Sequence, residues 1–460
     1  MDKLTVREIA EATGGKLLCG DENYVVDRVC TDSREAGEND VFFPLKGERF
    51  DAHDFLPQVI ENGCRVLVVS NMEAAEKFKD REVILTDDTQ KALQNLAKWY
   101  IRKLNLKVIG VTGSVGKTST RDFIYAGMSK KYVTGTNKKN FNNQIGLPLT
   151  VLELTSEHEA AVLEMGMDRK GEIHALADIA RPDVAVITNI GISHIEHLGS
   201  REGIRDAKLE ITDYFGSENT LIINGNDEYL GDYDFADSYN VISTGLKDDR
   251  YRAENLIDHG AEGIEFDLFD GDIPHHVKLN QPGAHNAVNM LFAAAACAQF
   301  GVCVSDVVEA AENVAVTGNR LRIKDAGSIK IIDDSYNAAP ASMKSAIETL
   351  KNTSGERKVA VLGDMYELGS DTEELHRDVG RFAAENDVDV LIGAGSLGCR
   401  ISEGAEEKAS EKMAVMSFEN VSDLILQLGN ILESGDVVLV KASRGLELEK
   451  VSSAIIELGK

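Results

Sequence analysis

Residues 107–119 read Lys-Val-Ile-Gly-Val-Thr-Gly-Ser-Val-Gly-Lys-Thr-Ser, and this stretch decides the fold. Residues 108–112 are a short, mostly β-branched apolar run, the pattern of a buried strand. Gly113, Ser114, Val115 and Gly116 then make a turn, and Lys117, Thr118 and Ser119 open a helix. A strand, a glycine turn and a helix start together form an anion cradle, because backbone N–H groups and the positive helix end face the same point. Lys117 is spaced to reach the outer phosphates of a nucleoside triphosphate, and the Thr118 hydroxyl to bind Mg²⁺. The full phosphate-loop pattern has Gly six residues before the Lys; that position is Val111, and Gly110 is one residue off. An ordinary glycine-rich strand–helix turn explains the glycines but not Gly-Lys-Thr-Ser behind such a strand, so the stretch points to ATP or a relative.

The 460 residues imply two to four domains. With 43% hydrophobic and 27% charged residues the composition is that of a soluble globular protein, and the net charge of −28 disfavours nucleic acid and anionic membrane as partners. An anionic substrate must therefore be met by local cations and backbone N–H groups. The six cysteines (Cys19, Cys30, Cys64, Cys297, Cys303 and Cys399) include no C-x-x-C pair, which fits free thiols rather than a zinc site or disulfide framework. A charged first segment argues against a signal peptide, and the longest apolar run, 290–298, is far too short to span a bilayer. A cytoplasmic monomer is expected.

The pattern predicts an α/β protein in three domains: a small N-terminal α/β module over 1–86, a central phosphate-loop domain with a mostly parallel sheet over 87–316, and a C-terminal Rossmann-like domain over 317–460. In the first, Ser33 and Arg34 and the 46–53 stretch with Lys46 and Arg49 are either solvated turns or a seat for a nucleotide-like ligand. In the second, 137–149 is a polar loop containing Asn142, a strand ends in Glu164, and another runs into Asn189–His197 with His194. Ligands gather at carboxyl ends of parallel strands, which places Glu164 and His194 on the edge that carries Lys117. Lys208 lies on a helix and reads as a solvated charge. His285 and Asn289 share one helix face with Asn286 beside them, suited to a base edge or to capping. In the third domain the strand ends carry 333–337, 363–365, 393–395 and 441–444.

Gly393-Ala-Gly395-Ser-Leu-Gly398 matches G-x-G-x-x-G and follows a strand, yet no residue set for hydride transfer accompanies it, so NAD is not expected. A regulatory GTPase is disfavoured as well, since the nearest approach to N-K-x-D, residues 137–140, ends in Asn. Three domains around one phosphate loop suggest two substrates brought to one ATP.

The chain resembles the Mur ligases, ATP-dependent amide-forming enzymes of peptidoglycan synthesis, and so of cell wall biogenesis, cell shape and cell division. The resemblance is carried by the shortened loop 113–119, Asp-Ser-Arg at 32–34, Leu-Lys-Gly-Glu-Arg-Phe-Asp at 45–51, Ser-His-Ile-Glu-His-Leu-Gly-Ser at 193–200 and Ala-Lys-Leu-Glu-Ile at 207–211. His-Asn-x-x-Asn at 285–289, Asp-Asp-Ser-Tyr-Asn-Ala at 333–338 and Leu-Gly-Asp-Met-Tyr-Glu-Leu-Gly at 362–369 extend it into both later domains. It implies the step that joins D-alanyl-D-alanine to UDP-N-acetylmuramoyl-tripeptide through an acyl phosphate. It also implies roles: loop 113–119 for the phosphates, with Thr118, Glu164, His194 and a carbamylated Lys208 for Mg²⁺, and Lys117, Glu164, His194 and Lys208 as the catalytic group. His285, Asn286 and Asn289 would lie at the adenine, Arg320 at the phosphates and Asp334 near the ribose. Ser33, Arg34, Lys46 and Arg49 would take the UDP-sugar end, Asn142 a substrate wall, and Tyr336, Asn337 and residues 364–367 the dipeptide. The chain departs from the family at Ala339, where Asn is usual. Two alternatives stand beside this one: the sister enzyme that adds the third amino acid, whose Asp-Asn-Pro-Arg motif is absent, and a non-catalytic ATP-dependent switch protein.

Overall fold

The computed structural model describes residues 1–47, 50–312, 314 and 321–459. They form two compact units. One comprises 1–112, 131–185 and 210–220, the other 113–130, 186–209 and 221–460.

In the first unit a five-stranded sheet lies wholly within residues 16–85, in the order Lys16–Cys19, Glu82–Leu85, Val66–Val69, Asp40–Phe42, Arg28–Cys30. Its first pair is antiparallel and the rest parallel. Phe42, Leu67, Val69 and Val83 pack against Leu56, Val59, Ala74 and Ala75. The helix Val6–Thr13 starts at Thr5, which exchanges hydrogen bonds with Glu8 at 2.9 and 3.2 Å, and stops at left-handed Gly14. The helix Thr89–Leu104 starts under an Asp88 cap and buries Leu93, Leu96, Ala97 and Tyr100, the face expected from its 3.6-residue period. The strand Lys107–Thr112 pairs in parallel with Ala160–Glu164, which pairs in parallel with Thr134–Thr136.

In the second unit the chain leaves that strand at Gly113 and enters the helix Lys117–Met128. This helix packs on His285–Ala298, a helix buried on nearly every side. Close approach is possible because Gly127 meets Cys297 and Val307, where a Cβ would come within 3.0 Å of both side chains. Burial pushes the Cys297 thiol far up, consistent with a packing role. Strands Tyr251–Asp258, Ile264–Asp270 and Ile273–Leu279 form the antiparallel excursion expected over 248–278.

The six-stranded sheet of residues 322–441 runs Arg322–Ala326, Ile329–Asp333, Asp436–Lys441, Arg357–Gly363, Val390–Ala394, Ala414–Phe418. Successive residues alternate between its faces. Ile332, Ala360, Leu362, Leu391 and Leu439 pack on the helices Pro340–Asn352, Thr372–Ala384 and Gly398–Glu406. Ile331, Val359, Val361, Ile392 and Val438 pack on Val421–Ile431 and Glu449–Leu458. Each fully buried Val, Leu or Ile contributes about 1.5–3 kcal/mol, so two such faces hold the sheet independently of any ligand. Five of the six strands were legible as apolar runs. The sixth, Arg322–Ala326, is an antiparallel edge strand with mostly exposed side chains, and its Arg-Ile-Lys-Asp-Ala sequence carries no apolar signal.

Candidate active site

The turn 113–116 is strapped to residues 188–191. Ser114 N–H donates to the Asn189 carbonyl at 3.0 Å, and Val115 N–H to Asn189 Oδ1 at 3.0 Å. The Val115 carbonyl accepts from Thr188 Oγ1 at 2.6 Å and Asn189 Nδ2 at 2.9 Å, while Gly191 N–H donates to Ser114 Oγ at 2.8 Å. Gly113, at φ 146°, has no alternative: a Cβ there would stand 1.9 Å from Thr188 Oγ1. Lys117 Nζ donates to the carbonyls of Gly113 and Ser114 at 2.8 and 3.1 Å, which holds the ammonium inside the curve of the loop. Thr118 and Ser119 are buried at the helix start.

The loop forms one wall of a cavity of about 880 Å³. Ser114, Gly116 and Lys117 face it from one side with Asn189, His285 and Asn286; Asp334, Asn337, Ser345 and Lys441 face it from the other. His285 Nδ1 lies 2.9 Å from Ser345 Oγ, and burial lowers the imidazole pKa against the opposing pull of Asp334. The two asparagines are engaged with their neighbours. Asn289 Nδ2 donates to Asn286 Oδ1 at 2.9 Å, its Oδ1 accepts from Thr120 at 3.1 Å, and Asn286 donates to the Pro282 carbonyl at 2.9 Å. Asn289 sits under Gly116, where a Cβ would come within 2.8 Å of its Oδ1, so it supports the loop while His285 and Asn286 reach the cavity. Asp334 accepts from Lys441 Nζ at 2.6 Å and Leu321 N–H at 3.2 Å, and Lys441 also donates to the Asn337 carbonyl at 2.8 Å. Arg320 lies outside the described residues, as does Arg49; Leu321, next to Arg320, lines the cavity.

Lys208 is an unusual cation. It is buried to 2% exposure, and no ion pair holds it among the described residues. Burial, and then the positive charge of Lys117, push its pKa well below the usual lysine value. The expectation of a solvated charge from helix position alone is corrected: the helix Arg201–Leu209 turns this residue inward with Ile204 and Ala207. His194 has φ 64°, a strained value for a residue with a side chain, and its Nδ1 lies 2.6 Å from the Glu367 carboxylate. Tyr336 lies under the Arg444 guanidinium at 5.6 Å, and Asn337 is exposed at the cavity rim. Ala339 has no side-chain oxygen to cap the next helix; Ser342 Oγ accepts its N–H at 3.0 Å instead, and Pro340 needs no acceptor.

In the first unit Glu164 is buried, its Oε1 accepting from Asn142 Nδ2 at 2.8 Å while Asn137 pairs with its backbone at 2.6 and 3.2 Å. Arg34 is exposed and holds Asp32 at 2.8 Å, which lowers that carboxyl to about 2; the Ser33 carbonyl accepts from Asn62 at 3.1 Å. Lys46 and Asp51 form an isolated antiparallel backbone bridge, and the Asp51 carboxylate lies 2.6 Å from His53 Nδ1.

The G-x-G-x-x-G stretch is closed. Asp364 Oδ1 accepts from Leu397 and Gly398 N–H at 2.9 and 2.7 Å, so a carboxylate of the chain itself occupies the helix N-terminus that a dinucleotide pyrophosphate would need. Sequence reasoning missed Thr188, the Asn189 straps, Lys441 and Asp227, which lines the cavity and accepts from Ile190 N–H at 2.8 Å. Strand-end position flagged the neighbourhood of 189–197 and 441–444; nothing local indicated which residue reaches back to the loop.

Residues 111–297 match the Mur ligase middle domain and residues 319–444 the Mur ligase glutamate ligase domain. A UDP-N-acetylmuramoyl-tripeptide–D-alanyl-D-alanine ligase of Bacillus subtilis is 41% identical over 99% of both chains, and one of Escherichia coli 33% over the full length of both. Among solved structures, MurF from Acinetobacter baumannii superposes with TM-score 0.91 at 32% identity over 99% of both chains. MurF from Thermotoga maritima in complex with ADP superposes with TM-score 0.81 at 27% identity, covering 94% of this chain and 98% of that one. No helix among the described residues is long and apolar enough to cross a membrane. With two family domains in order and relatives aligned from end to end, the chain belongs to the Mur ligase family.

Proposed function

We infer that this chain is an ATP-dependent ligase that joins D-alanyl-D-alanine to UDP-N-acetylmuramoyl-tripeptide. The observation that carries this reading is end-to-end similarity to ligases of that name, with a strapped phosphate loop opening on a large cavity in the matching domain. A carboxylate is a poor acyl donor. In the proposed reaction its oxygen attacks the γ-phosphorus of ATP, ADP leaves, and the dipeptide amine displaces phosphate from the acyl carbon. Catalysis is then mostly positioning and charge neutralisation.

The division of labour follows the three proposed domains. Residues 1–86, with Ser33, Arg34, Lys46 and Arg49, take the UDP-sugar end. Residues 87–316 hold ATP through 113–119 and His285 and Asn286, with Asn142 on the substrate side. Residues 317–460 supply Arg320 and Asp334 to the nucleotide and Tyr336, Asn337 and 364–367 to the dipeptide. Lys441 holds Asp334 and the 337 carbonyl in one arrangement. Mg²⁺, when bound, neutralises phosphate charge; the Thr118 hydroxyl and the Glu164 carboxylate are hard oxygen ligands suited to it, with His194 and an altered Lys208 as the further candidates.

Lys208 fits only in altered form. A buried lysine with no carboxylate partner among the described residues and a second ammonium nearby has its pKa pushed well down, which favours the nucleophilic neutral amine. Its nitrogen adds to CO₂, releases one proton and becomes a carbamate, an anion that suits both Lys117 and Mg²⁺. We place the enzyme in the cytoplasm as a monomer.

The test follows oxygen. Tripeptide substrate labelled with ¹⁸O in its terminal carboxyl, incubated with ATP, Mg²⁺ and D-alanyl-D-alanine, is expected to yield phosphate carrying one ¹⁸O and a pentapeptide of the summed mass less water. Unlabelled phosphate without amide product would mark an ATP-dependent switch.

A further inference from the structure

One buried histidine has no task in this scheme. His376 is fully buried in the helix Thr372–Ala384, and both ring nitrogens are engaged. Nδ1 lies 2.6 Å from the Thr372 carbonyl one turn earlier, and Nε2 accepts the Met365 N–H at 2.9 Å. A carbonyl only accepts and an amide only donates, so the ring is neutral with its proton on Nδ1. Burial lowers its pKa in the same direction, against Asp364 and Glu373, the charged groups that face it.

Met365 lies in a stretch held at three successive residues. The Asp364 carboxylate caps the helix at 397–398, and its carbonyl accepts from Ser443 N–H at 2.9 Å. His376 holds the Met365 N–H, and Ser443 Oγ accepts the Tyr366 N–H at 3.1 Å. The next residue, Glu367, stands at φ 64° with its carboxylate 2.6 Å from His194 Nδ1, and His194 is also at φ 64°. Two left-handed residues with side chains persist together only where their surroundings over-determine them. The three anchors supply that determination.

We propose that His376 is a positioning residue for the transfer step: its Nε2 fixes the backbone at Met365, and this sets Glu367 against His194 and shapes the wall that receives the incoming amine. The proposal rests on the reading of 364–367 as the acceptor-side loop. His376 touches no substrate; it acts through the Met365 amide. Both ring nitrogens of His376 are spent on the Thr372 carbonyl and the Met365 amide, next to residues 364–367 rather than the nucleotide wall, so the effect should be felt at one substrate of three.

The test is steady-state phosphate release by the full chain, each substrate varied in turn, for wild type, His376→Leu, His376→Gln and Ser443→Ala. His376→Leu removes the acceptor at similar volume; Gln restores one. The KM for D-alanyl-D-alanine should rise at least tenfold in His376→Leu, with the KM for ATP and for the UDP-tripeptide within twofold of wild type. His376→Gln should recover most of the loss. Should the Leu variant not fold, Ser443→Ala, which removes the neighbouring anchor, should raise the same KM. A lowered melting temperature with all three KM values unchanged, or a joint loss that Gln does not rescue, overturns the proposal. A wild type inert toward the dipeptide overturns the functional reading as well, and is told apart by needing no variant.

Discussion

Two turns in the second unit share a local design, with a parallel strand, a glycine-rich turn and a helix start, and they do opposite things. At 113–118 the turn is strapped from behind by Thr188 and Asn189, and Ser114–Lys117 open on the cavity. At 393–398 the helix start is covered by Asp364, some thirty positions earlier in the chain. The second turn matches its motif to the letter and the first does not, yet only the first opens on the cavity and is the proposed nucleotide seat. A glycine motif reports that backbone N–H groups converge; whether a ligand can use them depends on which side chain arrives from elsewhere.

The contrast is tested hardest at Lys117. Lys117→Ala should lower phosphate release by about 10²–10³-fold while the melting temperature stays near wild type, the usual cost of removing one preorganised group that stabilises transition-state charge. Retained turnover in a phosphate assay would take the loop out of the mechanism. Lys208→Ala should cost about 10²-fold by the same reasoning and recover in part with added formate or acetate, which can occupy the place of the lost carbamate. Full activity without rescue would end the carbamate idea.

A matched pair of glycine substitutions separates the two turns further. Gly113→Ala puts a Cβ 1.9 Å from Thr188 Oγ1, and Gly395→Ala puts one 2.4 Å from the Asp364 carboxylate. The first should weaken ATP binding at least about tenfold in a calorimetric titration, equal to about 1.4 kcal/mol. The second should leave ATP affinity alone and lower thermal stability. Equal effects on ATP affinity would mean that the two turns are not functionally distinct. Asp364→Asn replaces charge-assisted bonds to a helix start and should cost about 1–3 kcal/mol in denaturant unfolding without any gain of NADH fluorescence. NADH binding by that variant would show that only the carboxylate had kept a dinucleotide out.

The smallest effect concerns His285. Its pKa is lowered in the folded chain, so below the ordinary value of 6.5 the unfolded chain binds the extra proton first. Its contribution to stability is therefore complete above that value and falls as pH drops toward the folded pKa. His285→Gln should flatten the loss of stability as pH falls below 6.5, read from denaturation midpoints. The change should stay below about 1.4 kcal/mol for every tenfold difference in proton affinity between the unfolded and folded chain.

What was legible in the sequence follows the same division. The strand–turn–helix at 107–119 could be read residue by residue because its apolar run, glycines and lysine adjoin in the chain. The strands of the six-stranded sheet were legible where both faces are buried, as at Val359–Leu362, and failed at the polar edge Arg322–Ala326. Asn289 was legible as a site residue but not as a support, since its contact with Gly116 joins helices far apart in sequence. Lys208 was legible only through family resemblance. Helix periodicity places a residue on a face, but the proton affinity of a buried amine depends on its surroundings, here including Lys117, about ninety positions away. Asp364 and His376 were invisible as anchors for a similar reason: their partners are backbone amides, which carry no sequence signature.

The assignment stands or falls on phosphate release by the wild-type chain with ATP, Mg²⁺ and UDP-N-acetylmuramoyl-tripeptide, measured against a panel of acceptors. Release that depends on D-alanyl-D-alanine and is absent with single amino acids, including those that extend a dipeptide precursor, is the predicted result. Release with a free amino acid but not with D-alanyl-D-alanine would contradict it.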